Sequence, residues 1–316
     1  MKVPIIIRSG IIIFCISSVI LCSTYSCTKL ISDEFPEFEE IPTVNALIEA
    51  GEIIKVHVSL SGKIDTTEIK AIDNATVILK SNQVVIDTLD KVNKGLYTSN
   101  YVAKEGVRYD IEVLLEGFDI IHGSDMVPKL VSAEIFEHTN QFRYDEEGNF
   151  TEGIGIKFYD NPNSIDYYEI SLIRKKHGSA YYVYPYNNNA PIILNEGFEP
   201  YTTPSLVFSD QLIQDSVIRL FLDFYQGLTI RNHGDSLVQI FDAHTMVLEF
   251  RHISENYYNY KKHFYLYSKD RYPGFIEGTA SYYQNYSNVE NGLGIIGAFS
   301  VTRDSIWIPE EHLPAK

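Results

Sequence analysis

The chain has 316 residues, with 26 Lys and Arg against 42 Asp and Glu, for a formal net charge of −16. That length corresponds to two domains of ordinary size, and 45% hydrophobic against 22% charged residues excludes a disordered chain. The acidic balance excludes a partner held through its phosphates, because nucleic-acid affinity comes mostly from Lys and Arg displacing counterions. Aromatic residues are abundant but uneven, with Tyr 23 and Phe 17 against Trp 1 and Met 3, a mix that favours strands.

Lys2 and Arg8 precede the apolar run Ile11–Cys22, which reads as the charged start and short hydrophobic stretch of a secretory signal. The run is 12 residues long, whereas a helix needs about 20 apolar residues to span a bilayer. An uncleaved anchor counted from Val3 would have to include Arg8, so cleavage is the better reading. Thr24-Tyr25-Ser26-Cys27 resembles the lipobox of bacterial lipoproteins, with Thr24 where Leu is usual, and makes Cys27 the lipidation candidate. Residues 1–26 are therefore expected to be a lipoprotein signal peptide. Cys15, Cys22 and Cys27 are the whole cysteine complement, so the processed body would hold one cysteine and no internal disulfide. With Lys2 and Arg8 gone, the net charge of −16 becomes −18. A lipidated body needs no basic patch to stay on a membrane.

Residues 27–42 are expected to form an acidic tether, with five acids between Asp33 and Glu40 and prolines at 36 and 42. From Thr43 to about Pro128 the pattern is period two with turns. Lys55–Leu60, Ala75–Lys80 and Tyr109–Leu114 read as strands, and Asn93-Lys94-Gly95 and Glu116-Gly117 as turns. This stretch, 43–128, looks like the immunoglobulin-like or carboxypeptidase-regulatory-like β-sandwiches of bacterial surface proteins. Residues 131–309 are expected to be a larger, antiparallel β-rich domain, followed by a C-terminal tail over 310–316. Within it, strands at Gly155–Tyr159 and Tyr167–Ile173 flank the turn-forming Asp160–Ser164, and a hairpin is expected there. Val217–Tyr225 reads as a further strand. Ser254 as N-cap and Glu255 in the first turn predict an amphipathic helix over about 255–268, whose Tyr257, Tyr260, Phe264 and Tyr267 share one face expected to pack as core. The fold class is thus mainly β.

Few groupings carry chemistry. Gly292-Leu293-Gly294-Ile295-Ile296-Gly297 matches G-x-G-x-x-G, yet no βαβ unit fits in the 19 residues after Gly297. Glycines at a bulge or bend, where backbone meets backbone, are expected instead. The nine histidines show no H-x-H or H-E-x-x-H spacing, and no G-x-S-x-G elbow occurs. Asp160, Asn161, Asn163 and Asp166 are oxygen-rich but lack EF-hand spacing, so no metal ligand, catalytic residue or cofactor is assigned. Tyr181, Tyr182, Tyr184 and Tyr186, before Asn187–Asn189, are the candidate ligand or partner surface, since tyrosine suits both protein interfaces and sugar faces. The plain alternative is a strand ending in a polar loop. Tripeptides beginning at Asp65, Asp87, Asp215, Asp235 and Asp304 resemble an O-glycosylation pattern of Bacteroidota envelope proteins.

Lys157–Leu172, Val207–Leu212, Leu248–Tyr260 and Ser287–Val301 resemble the motifs of a Bacteroidota outer-membrane lipoprotein family known only as a domain of unknown function. The similarity covers nearly the whole processed chain. It departs at Ile296 and Ala298, where the family often has Phe and Gly. Its members are often encoded beside TonB-dependent receptors. The resemblance implies an outer-membrane-anchored accessory or binding subunit of such a receptor in nutrient uptake, facing the cell surface or else the periplasm. A free-standing surface protein that binds glycan or peptide is the alternative. It carries over no catalytic residue.

Overall fold

The computed structural model describes residues 38–313, apart from 63–68, 146, 149, 189–190, 198–202, 214, 226–227, 234–235 and 271–284. Cys27, the expected signal peptide and most of the expected tether lie outside these residues. None of the described helices is long and apolar enough to cross a membrane.

The N-terminal part contributes β1 (Pro42–Glu49), β2 (Ile53–Leu60), β3 (Lys70–Ala71), β4 (Thr76–Ser81), β5 (Val84–Thr88), β6 (Asp90–Asn93), β7 (Leu96–Val102), β8 (Arg108–Leu114) and β9 (Ile121–Met126). The three strands expected from alternation fall in β2, β4 and β8. In β1, Val44, Ala46 and Ile48 are buried while their neighbours face outward, as a strand with one covered face requires. Lys94 and Gly95 both take positive φ at the β6–β7 turn, as the sequence indicated. Two buried tyrosines fix the loops of this sandwich. The Tyr97 hydroxyl donates to the Ile72 carbonyl at 2.9 Å and accepts from the Ala75 amide at 3.0 Å, and that of Tyr109 accepts from the Lys104 amide at 2.9 Å.

Then follow β10 (Ala133–Thr139), β11 (Thr151–Tyr159), β12 (Tyr167–Lys176), β13 (Ser179–Val183), β14 (Pro185–Asn188), the short helix α1 (Pro191–Leu194), β15 (Ser205–Ser209), β16 (Val217–Tyr225), β17 (Leu228–His233), β18 (Ser236–Phe241) and β19 (His244–Ile253). Helix α2 (Glu255–Asp270), β20 (Val289–Glu290), β21 (Leu293–Ile308) and β22 (Glu311–Leu313) complete the described elements. The protein is mainly β, as expected, with two helices among the described residues. Residues 310–316, expected as a tail, include β22, which pairs with β18 through backbone bonds that a bare tail would leave to water.

One sheet runs through both parts in the order β13-β12-β19-β21-β1-β2-β7-β6, with β15 and β3 attached to β12 and β2. Its β21-to-β6 half faces a second sheet, β20-β9-β8-β4-β5, across a core that includes Val56, Leu79, Tyr109 and Ile296. Its other half faces β10-β11-β16-β14 across a core that includes Phe158, Tyr168, Leu222 and Phe250. Most pairings are antiparallel, but β1 and β21 run parallel, Thr43 opposite Leu293 through Glu49 opposite Phe299.

The hairpin expected at Asp160–Ser164 does not form. β11 pairs with β10 and β16, whereas β12 pairs with β13, β15 and β19, so the connection crosses from one sheet to the other. The physical reason is burial. Ile154, Ile156 and Phe158 on one strand and Tyr168, Ile170 and Leu172 on the next cover one another face to face, with the Phe158 and Tyr168 ring centroids 5.0 Å apart. Seven residues from Asp160 to Asp166 suffice to cross the roughly 10 Å between packed sheets.

Helix α2 begins where Ser254 predicts it, the serine hydroxyl accepting from the Tyr257 amide at 3.2 Å. Only part of its aromatic face is core. Tyr257 is buried against Ile253 and Phe299, Tyr258 and Tyr260 pack partly onto that cluster, and Phe264 is exposed. Tyr267, the last of the four, is partly buried, so cover along the face is uneven.

The glycine motif is a close-packing device. Gly294 sits opposite Val44 with φ +120°, and a Cβ there would lie 2.0 Å from the Val44 carbonyl oxygen. Gly294→Ala should therefore break the β1–β21 pairing and cost about 3 kcal/mol or more, read as a fall in Tm and in denaturant midpoint. A variant as stable as wild type would show that this register is wrong.

Candidate functional site

A cleft of about 860 Å³ opens where the two cores meet. Its floor is the segment joining them. The Lys129 carbonyl accepts from Ser300 Oγ at 3.0 Å and from His252 Nδ1 at 2.8 Å, the Val131 carbonyl accepts from Thr302 Oγ1 at 2.6 Å, and the Ile135 amide donates to Asp304 Oδ2 at 2.7 Å. His252 Nε2 lies 3.2 Å from Asp166 Oδ1 on the opposite wall, so the ring bridges the two sides of the cleft. Exposed Met126, Leu130, Tyr159 and Ile165 supply apolar surface, and Arg108 and Glu255 supply charge.

Asp125, at the end of β9, is 5% exposed and links that strand to α2. Ser254 Oγ donates to its Oδ2, Asn256 Nδ2 to its Oδ1 at 3.2 Å, and the Met126 amide to the same oxygen at 2.9 Å. Burial outweighs these bonds and pushes the carboxyl up to about 6. Ser254 is fully engaged. Its hydroxyl also accepts from the Tyr257 and Ala298 amides at 3.2 Å, so it caps a helix and pins β21.

Two more acids, Asp160 and Asp166, line the cleft, and a third, buried Asp210, lies behind them. Asp160 follows β11, Asp166 precedes β12 and Asp210 follows β15, the antiparallel partner of β12. Oxygen atoms of all three lie within 4.8 Å of one another. Tyr168, buried in the aromatic core, donates its hydroxyl to Asp160 Oδ1, and burial together with that acid raises the phenol well above its usual value. The Asp166 amide donates to Asp210 Oδ1 at 2.9 Å. Burial, then the charge of Asp160 and a hydrogen bond with its carboxyl, then the charge of Asp166, push Asp210 up to about 7, only partly offset by that amide. Burial also opposes charge on Asp166, but bonds from His252 and Ser164 outweigh it and hold this acid below its ordinary value. Of the oxygen-rich set read from the sequence, Asp160 and Asp166 do meet. Asn161 and Asn163 instead bond one another within the connection, and Asp210, 44 residues further on, was not singled out. A lone aspartate after a strand carries no local signal, because its role comes from the pairing of β15 with β12.

The tyrosine candidates lie apart from the cleft lining. Tyr181 and Tyr182 are on β13, the edge strand of the long sheet, and Tyr184 falls between β13 and β14; all three are about half exposed. Tyr186 is in β14, its side chain outside the described residues, and Asn187 and Asn188 continue that strand, where the plain alternative placed a polar loop. Of the glycosylation-like tripeptides, the hydroxyl residues Thr88, Ser216 and Ser305 are exposed. A separate buried group braces the second core: Glu152, fully buried, meets Arg174, His138 Nε2 at 3.0 Å and His244 Nε2 at 3.3 Å. Against its burial these partners hold it below its usual value.

Residues 28–305 match the family described as Domain of unknown function (DUF4249). The chain belongs to that family. No curated protein matches it. In this DUF4249 protein the matched span takes in the first core, all of the second but its last strand residues Ile306 and Ile308, and the three clustered acids.

The Asp125 carboxyl gives a pH test. Because its folded value is raised, the stability tied to it is fully present below about pH 4 and is lost as pH rises through about 6. Asp125→Asn removes that dependence. Between pH 4 and pH 7.5 wild type should lose about 2 kcal/mol relative to the variant, measured by denaturant unfolding at each pH. Parallel pH profiles would contradict the assignment.

Proposed function

We propose that this protein is a non-enzymatic accessory lipoprotein of the outer membrane, anchored through Cys27, that docks on a TonB-dependent receptor through the cleft between its two cores. The observation that carries the binding role is the state of the cleft's polar groups. Asp125, Ser254, His252 and Asp166 are engaged with one another and with backbone, while Met126, Leu130, Tyr159 and Ile165 stand exposed around them. Catalysis needs groups aimed at a reacting atom, whereas binding needs apolar surface with a few fixed polar contacts. Supporting the anchor is the Thr24–Cys27 lipobox-like stretch, and supporting the receptor is the resemblance to lipoproteins encoded beside such transporters.

Two measurements test this reading. Intact masses of wild type and Cys27→Ala should differ by the acyl groups as well as by the residue, and an unmodified cysteine would remove the anchor. In mild detergent the protein should co-purify with a TonB-dependent receptor. Met126→Asp combined with Ile165→Asp should reduce that recovery at least ten-fold without lowering Tm, since both side chains are exposed. Recovery of the lipoprotein alone would overturn the reading.

The exposure of Tyr181, Tyr182 and Tyr184 on a sheet edge favours one second reading, a free-standing binder of surface glycan or peptide. Replacing Tyr182, Tyr184 and Tyr186 with Ala should then abolish binding to an arrayed ligand. Unchanged binding to every ligand would exclude it.

A further inference from the structure

We propose that Asp160, Asp166 and Asp210 form a binding site for a divalent cation of the Ca²⁺ class. The three acids supply oxygens within 4.8 Å of one another, close enough to share one coordination sphere with Ca²⁺–oxygen distances of about 2.3–2.6 Å. Proximity of acids alone would mean little. The second observation is an oxygen with no donor: Asp210 is 1% exposed, its Oδ1 is held by the Asp166 amide, and its Oδ2 has no hydrogen-bond donor among the described residues, the side chain within bonding reach of this carboxyl being that of Asp160, itself an acid. Asp160 repeats the arrangement, with Oδ1 held by the Tyr168 hydroxyl and Oδ2 buried and unpartnered. A buried carboxylate oxygen without a donor is costly, and two of them beside a third acid must be met by a positive charge, either a shared proton or a cation; the third acid, held ionised by His252 and Ser164, favours the cation. The nearest basic side chain among the described contacts, His252, is directed at Asp166 and leaves both orphaned oxygens unserved.

The supports are rigid. Each acid sits at the end of a strand, and the Asp210 and Asp166 backbones bond to one another at 3.2 Å, so the oxygens are fixed before any ligand arrives. Oxygen-only donors suit Ca²⁺, which accepts flexible geometry, whereas Mg²⁺ demands a near-ideal octahedron at 2.0–2.1 Å. Asp160 and Asp166 also line the cleft, which gives the ion a route from solvent. A bound cation would fix the crossing between the two sheets of the second core and one wall of the cleft.

The test is calorimetric titration of CaCl₂ into the purified full-length chain after EDTA stripping, at pH 7.5, together with Tm. One saturable site per chain and a Ca²⁺-dependent rise in Tm are expected. Asp210→Asn keeps the acceptor for the Asp166 amide and should weaken Ca²⁺ at least ten-fold, as should Asp160→Asn, while Asp125→Asn in the same cleft should bind like wild type. No heat and no Tm change in wild type at millimolar CaCl₂ would overturn the proposal, and would leave a proton shared between Asp160 and Asp210 in place of the ion. Equal affinity in Asp210→Asn and wild type would overturn it too.

Discussion

Everything else hangs on the pairing of β21 with two different strands at once. Over Leu293–Phe299 it runs parallel to β1, and over Phe299–Ile308 it runs antiparallel to β19. Its one core-directed face therefore reads in three parts. Ile296 and Ala298 enter the first core, Ile306 and Ile308 pack on the second, and Ser300, Thr302 and Asp304 lie between them. Those three polar side chains bond the backbone of the segment that passes from one core to the other. A strand with apolar ends and a polar middle thus does two jobs, burying surface at both ends and satisfying the backbone that must cross between them.

The same crossing creates the cleft. Backbone leaving β9 passes over β21 to reach β10, and α2 starts at the point where β19 ends against Phe299. Polar groups gathered at this junction are mostly consumed in holding it: Asp125 with Ser254, His252 with Lys129 and Asp166. Charge is expensive there, and the raised values of Asp125 and Asp210 are its electrostatic signature. The two acids differ in what faces them. Asp125 has three donors, whereas one oxygen of Asp210 has none, so one reads as a brace and the other as a ligand.

The second core shows how the acids acquire their positions. Phe158, Tyr168, Phe208 and Phe250 pack with ring centroids 4.7 to 6.2 Å apart, and the hydroxyl of Tyr168 emerges from that cluster onto Asp160. Aromatic packing of this kind stabilises the sandwich and at the same time fixes a polar tip at its rim. Membership in the DUF4249 family covers this whole arrangement rather than either core alone.

From the sequence alone, period-two burial located β2, β4, β8 and β16, Ser254 located the start of α2, and the glycines of 292–297 pointed to close backbone approach. These are local effects, set by alternation, capping and the absence of a Cβ. The tertiary structure alone decided that β11 and β12 belong to different sheets, that β1 and β21 pair across some 250 residues, and that Asp210 joins Asp160 and Asp166. The reason is the same in each case. Turn residues such as Asp160–Ser164 are compatible with a hairpin or a crossing, and only the demand to cover two fully buried strand faces chooses between them.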